Sequence, residues 1–178
     1  MRVIAGRLGG RLFNSPGTDR THPMSDKIRG ALFNTLGDIS YLRLLDAFTG
    51  SGALAFEALS RGASHVTALD VDANAIATVI KNASQLALGG ELKPIRVNAA
   101  AWLQTSPVDT FFDIVLCDPP YDDPQLPLIA DLAGRVKPAG LLVASLPAGV
   151  DLTLPGAYGL VAAKTYGDAS LYFYRREG

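Results

Sequence analysis

The chain has 178 residues, with 16 Lys and Arg against 17 Asp and Glu, a formal net charge of -1. Apolar residues make up 48% and charged residues 19%, which excludes a disordered polyelectrolyte and suits one domain with a sizeable core. No apolar run approaches the ~18 residues of a membrane helix, and a single cysteine with two histidines supplies neither a disulfide nor a zinc site of ordinary spacing.

The near-zero charge hides an asymmetry. Residues 1–30 carry six basic side chains against two acidic, and the remaining 148 carry ten against fifteen. A basic arm of Arg2, Arg7, Arg11, Arg20, Lys27 and Arg29 on a mildly acidic body is suited to a polyanion such as RNA. Two short apolar runs flank Gly9-Gly10, which predicts a small β-hairpin, and the Pro/Gly/Thr-rich residues 15–24 read as a loop. The first 24 residues therefore form an extension, and residues 25–178 the main domain.

Ser25 or Asp26 caps the first expected helix, whose apolar face is Ile28, Leu32, Phe33 and Leu36, with Gly37 as its stop. Strands and helices then alternate. Strands are expected at 42–46, 65–71, 92–98, 112–117 and 140–146. Helices are expected at 53–61, 73–88, 100–104 and 126–136. The continuous apolar run 112–117 suits a central parallel strand buried on both faces. Repeated β-α order implies an α/β doubly wound sheet. The last two strands, 160–166 and 170–175, are separated only by Gly167-Asp168-Ala169, too short for a crossover, so they must form an antiparallel hairpin.

Two segments carry chemistry. Asp46-Ala-Phe-Thr-Gly-Ser-Gly52 follows the first parallel strand, where open α/β sheets bind ligands. Asp70 ends the next strand and can accept both hydroxyls of a ribose. Gly50-x-Gly52-x-x-Ala55 also fits a dinucleotide fingerprint. Asp46, however, would repel a pyrophosphate and suits the cationic amino end of S-adenosylmethionine. The second segment, Asp118-Pro119-Pro120-Tyr121, directly follows strand 112–117, at the same sheet edge. Two prolines fix the backbone and remove two donors, leaving the Asp118 carboxylate and the Pro119 carbonyl as acceptors for an exocyclic amine. Tyr121 offers a face on which a base stacks, worth ~1–3 kcal/mol. Cys117 and Trp102 read as core residues.

These two segments together resemble class I S-adenosylmethionine-dependent methyltransferases that act on amino groups of nucleobases. Arg2-Val-Ile-Ala-Gly-Arg-Leu-Gly-Gly-Arg-Leu, Pro23-Met-Ser-Asp-Lys-Ile-Arg29, Leu32-Phe-Asn and Gly50-Ser-Gly-Ala-Leu with Glu57-Ala-Leu-Ser-Arg-Gly-Ala narrow the resemblance to the RsmD-type 16S rRNA (guanine-N2)-methyltransferases, over nearly the whole chain. The resemblance implies a Rossmann-like sheet of seven strands with an antiparallel C-terminal hairpin, preceded by the small hairpin. It implies that Asp46, Phe48, Thr49, Gly50, Ser51 and Gly52 line the methionine end of the cofactor. Asp70 would hold the ribose, and Val71, Asp72, Asn98 and Ala99 would surround the adenine. Asp118 to Tyr121 would receive the guanine, and the basic arm would grip 16S rRNA in the small ribosomal subunit. A cytoplasmic monomer that needs no metal is the accompanying expectation. Two positions depart from the family pattern: His22 and Gly30 stand where it has arginine and glutamate. A DNA adenine-N6 methyltransferase is the alternative enzyme; against it, the chain leaves no room for a target-recognition domain. A non-catalytic RNA-binding assembly factor is the alternative from another class, and a nucleotide-dependent oxidoreductase is disfavoured by Asp118-Pro-Pro-Tyr.

Overall fold

A computed structural model describes residues 1–17 and 24–178. Seven strands form one sheet: β1 (Arg43–Asp46), β2 (His65–Asp70), β3 (Leu92–Arg96), β4 (Phe112–Cys117), β5 (Val136–Pro147), β6 (Tyr158–Tyr166) and β7 (Ala169–Arg176). Their order is β3-β2-β1-β4-β5-β7-β6. The five strands from β3 to β5 are parallel, and β7 runs antiparallel to both of its neighbours. The chain leaves β1 toward β2 and β3, then returns to the other side of β1 as β4. That reversal opens a crevice beyond the carboxyl ends of β1 and β4.

Helices cover both faces. α1 (Asp26–Leu36), α2 (Ala53–Ser60) and α3 (Ala73–Gln85) pack on one face, joining Leu32, Phe33, Phe56 and Val79 to Leu44, Val66 and Leu116. α4 (Ala99–Thr105) and α5 (Leu126–Ala133) cover the other with Trp102, Ile129 and Leu132 against Leu45, Val115 and Leu142. Burial on both faces is why β4 reads as an unbroken apolar run. Cys117 and Trp102 lie in this second core, and burial pushes the Cys117 thiol far up, so it is inert at neutral pH.

The local signals for helix ends hold where a side chain or glycine supplies the missing bond. Ser25 caps α1 by accepting from the Ile28 N–H at 3.3 Å, and Gly37, at φ 75°, ends it. The expected helix 126–136 stops at Ala133 instead. Gly134 turns the chain, the Arg135 guanidinium is held by the Leu103 and Pro107 carbonyls, and Val136 already pairs with Phe112. A register shift near Phe112 and the left-handed Ala139 (φ 62°) let β5 start four residues before the expected strand. The expected helix 73–88 likewise ends at Gln85.

The expected N-terminal hairpin is short: Arg2 and Leu12 form an antiparallel bridge, flanked by backbone hydrogen bonds between Met1 and Phe13 and from Val3 N–H to the Arg11 carbonyl at 2.9 Å. The backbone of residues 4–8 bonds to α2 instead. Ile4 and Ala5 N–H donate to the Glu57 carboxylate at 2.7 and 3.1 Å, and Leu8 N–H donates to Ser60 Oγ at 2.9 Å. Gly6, at φ 80°, comes so near that a Cβ there would lie 1.9 Å from the Ser60 carbonyl oxygen. Val3, Leu8 and Phe13 enter the main core. At the other end, Tyr166 pairs with Ala169 around the two-residue turn Gly167-Asp168, with Gly167 at φ 63°, as a tight hairpin requires.

Candidate active site

Both sequence segments meet at the crevice. β1 delivers Asp46, and the turn to α2 follows with Gly50 at φ 49° and Gly52 at φ 81°. A Cβ on Gly52 would lie 2.7 Å from Phe56, so this glycine is required by packing; one on Gly50 would meet nothing within 4 Å, so that stretch of backbone is open to a ligand. α2 begins without a side-chain cap. Asp70 closes the loop: one carboxylate oxygen accepts from Gly50 N–H at 2.8 Å, the other from Asp72 N–H at 2.8 Å. Phe48 is half-buried beside it, Thr49 and Ser51 are buried, and Val71 is 58% exposed, an unusual exposure for an apolar side chain at a strand end.

Asp46 is the most constrained acid. It is completely buried; one oxygen accepts from Thr49 Oγ1 at 2.7 Å, and the other, Oδ1, has no partner. Burial pushes its pKa up to about 7, against the pull of the Thr49 hydroxyl, with Asp118 and Asp70 adding to the rise. An orphaned buried carboxylate oxygen beside an open glycine loop fits the cationic end of S-adenosylmethionine.

From β4 the chain enters Asp118-Pro-Pro-Tyr, with Pro119 buried, Pro120 exposed and Tyr121 41% exposed. Burial raises Asp118 to about 6, while the Ser145 hydroxyl stabilises its charged form. Tyr121 Oη also lies 3.4 Å from Ser145 Oγ. Ser145, on β5 and buried, thus joins the carboxylate to the ring. Nothing in the local sequence marks it: it is one serine in an apolar strand, one register step beyond the Cys117–Ala144 pair.

Asp72 and Asn98 first serve as N-caps, accepting from Asn74 and Ala100 N–H at 2.8 Å each, and Ala99 is buried at the start of α4. The basic arm divides. Arg2 pairs with Asp26 at 2.9 Å and Arg7 pairs with Glu91; Arg11 reaches the Gln85 carbonyl; all three stay exposed, as does Lys27. Arg20 and His22 lie outside the described residues. Arg29 corrects its assignment to RNA: it is wholly buried, and its guanidinium donates to Asp26 at 2.8 Å and to the Arg2 carbonyl at 2.8 Å, near Glu57. A side chain so enclosed ties the N-terminal segment to α1 and cannot reach a polyanion. Among the described residues no helix is long and apolar enough to cross a membrane.

A family model described as "Conserved hypothetical protein 95" matches residues 1–175. The chain is 31% identical to the "Ribosomal RNA small subunit methyltransferase D" of Escherichia coli strain K12, over 99% of this chain and 90% of that protein. It is 30% identical to the protein of the same name from Haemophilus influenzae, over 98% of this chain and 93% of that one. A solved structure, "Putative methyltransferase yhhF from Escherichia coli", superposes with a TM-score of 0.87 at 31% identity, covering 100% of this chain and 98% of that one. The seven-stranded sheet with its antiparallel C-terminal pair is the Rossmann-like class I methyltransferase fold.

Proposed function

From the membership of this chain in the family described as "Conserved hypothetical protein 95", we propose that it transfers a methyl group from S-adenosylmethionine to the exocyclic N2 amine of a guanine in 16S rRNA. Most support comes from one juxtaposition. A buried acid with an unpartnered oxygen, Asp46, and the Asp118-Pro-Pro-Tyr rim follow adjacent strands at the same sheet edge, close enough for the Asp118 charge to act on Asp46. The first suits a cation and the second an amine on a flat base. The names of the relatives support the choice of small-subunit rRNA.

When bound, S-adenosylmethionine supplies the electrophile, a methyl carbon whose bond to sulfur breaks as the amine nitrogen bonds to it. Asp46 balances the positive charge of the donor, and Asp70 accepts from ribose hydroxyls. Val71, Asp72, Asn98 and Ala99 flank the adenine. At the acceptor, the Asp118 carboxylate and the Pro119 carbonyl each accept one N–H of the guanine amine. This favours a pyramidal nitrogen and aims its lone pair into the crevice. Tyr121 stacks on the base. With Asp118 near 6, its carboxylate is ionised at neutral pH and can take the proton that becomes acidic as the new bond forms. Holding the reactants in line is the main contribution, ~7–11 kcal/mol at best. A single-stranded or unstacked guanine is the cheaper substrate, because base pairing need not be broken. Arg2, Arg7, Arg11 and Lys27 would bind rRNA phosphates, and we place the reaction in the cytoplasm, on the small subunit or an assembly intermediate, with the enzyme as a monomer.

The test is transfer of labelled methyl to unmethylated small subunits, naked 16S rRNA and duplex DNA, by the wild type and Asp118→Ala. Label recovered as N2-methylguanosine and lost in the variant supports the proposal. Label in DNA adenine replaces the substrate. Binding of S-adenosylmethionine without transfer to any acceptor removes the enzymatic reading and leaves an RNA-binding assembly factor.

A further inference from the structure

The opposite end of the sheet is also indented. A cavity of ≈ 280 Å³ opens there between the amino-terminal ends of β1, β2 and β3 and the segment after α4. Arg43 is the first residue of β1 and His65 the first of β2, and the two are direct register partners. Lys93 of β3 is the register partner of Thr67, two residues along β2 from His65 and therefore on the same face. Three basic side chains thus line one small cavity, with the Thr67 and Thr110 hydroxyls beside them and no carboxylate in its wall.

Like charges side by side on neighbouring strands are destabilising, and no carboxylate lines this cavity to offset them. Among the described residues neither Arg43 nor Lys93 forms an ion pair. Asp113 is not among the lining residues; its carboxylate accepts from Lys137 Nζ at 2.7 Å and from the Arg43 backbone N–H at 2.8 Å, and the Arg43 charge helps hold it ionised. The Arg43 guanidinium is held over the Phe112 ring, 5.9 Å from its centroid. Arg135 stacks on Trp102 behind the wall and is bonded only to carbonyls and a hydroxyl, which adds to the positive field. Burial lowers the proton affinity of His65, the Arg43 and Lys93 charges lower it further, and a hydrogen bond to the Gly90 backbone opposes them.

We propose that this cavity is a phosphate-binding site, separate from the methyl-transfer crevice, in which Arg43, His65 and Lys93 together hold one phosphate group. Its size admits a phosphate with part of what carries it. His65 and Asp70 stand at the two ends of β2, so the sites are roughly 17 Å apart along the strand. The phosphate comes either from an RNA backbone or from a free phosphate compound; the chemistry of recognition is the same, and neither source requires the methyl-transfer reading.

The imidazole of His65 reports occupancy directly. Its ring-proton NMR signal, assigned by its loss in His65→Gln, is followed against pH with the whole chain at constant ionic strength in chloride. Added inorganic phosphate, or separately a single-stranded RNA, should raise the apparent pKa of His65 saturably. Arg43→Gln with Lys93→Gln should weaken that response about tenfold, the loss expected for charge-assisted hydrogen bonds. Lys93→Gln alone, at an exposed position, supplies the same reading if the double variant folds poorly. A response to inorganic phosphate identifies a free phosphate group as sufficient; a response to RNA alone identifies the backbone phosphodiester. No response to either, or one unchanged in the variants, overturns the site.

Discussion

Asp46 shows how a residue proposed for binding can oppose stability. The folded carboxyl keeps its proton up to about pH 7, whereas its ordinary value is 3.8. Its contribution to stability is therefore full below pH 4 and is lost as pH rises through 7. Asp46→Asn, which cannot ionise, should match the wild type near pH 4. It should gain about 4 kcal/mol over the wild type by pH 8 while losing cofactor affinity. Chemical denaturation across that range measures the difference, and a constant gap at all pH values would contradict it. Ser145 acts in the opposite sense on Asp118. Its hydroxyl favours the ionised carboxylate, so Ser145→Ala should move the acid limb of kcat/KM above about 6 and reduce activity more at pH 6 than at pH 8.5. A merely structural serine would lower the whole profile without moving the limb. The acids of this site were legible from sequence because each ends a strand in a turn motif. Ser145 was not, since only strand pairing brings it beside Asp118.

The elements follow local signals until a tertiary contact outweighs them. α1 starts at Ser25 and stops at Gly37 because a cap and a left-handed glycine act within one turn of the chain. α5 ends early because Val136 gains more from pairing with Phe112 than from another helical turn. The N-terminal segment pairs as a hairpin only over residues 1–3 and 11–13, because Glu57 and Ser60 offer the amides of Ile4, Ala5 and Leu8 buried partners. Gly30 lies in the interior of α1. A Cβ there would meet only Ile4 Cδ1, at 3.8 Å. Gly30→Ala should therefore stabilise the protein by about 0.4–1 kcal/mol through its unfolded state. Differential scanning calorimetry should show a melting point raised by roughly 1–4 °C. A fall would mean that Ile4 cannot yield.

At the scale of the molecule, ligand binding and folding are linked. S-adenosylhomocysteine at 100 times its Kd should add about 2.7 kcal/mol of stability, read as a rise in Tm, and NAD should add none. Because the unpartnered acid must be ionised to meet a cationic donor, that rise should be larger at pH 8 than at pH 6. Equal shifts with NAD would reverse the assignment of the crevice.

The order of strands and helices, the crevice acids and the C-terminal hairpin were determined by the sequence itself, through apolar periodicity, loop lengths too short for a crossover and acids set at strand ends. The burial of Arg29, the place of Ser145, the docking of residues 4–8 on α2 and the clustering of Arg43, His65 and Lys93 were decided only by the tertiary structure. The physical reason is separation along the chain. Local patterning reports what a residue does within a turn or two. Burial and charge depend on neighbours brought from 20 or more residues away by strand register, as Arg43 and His65 are.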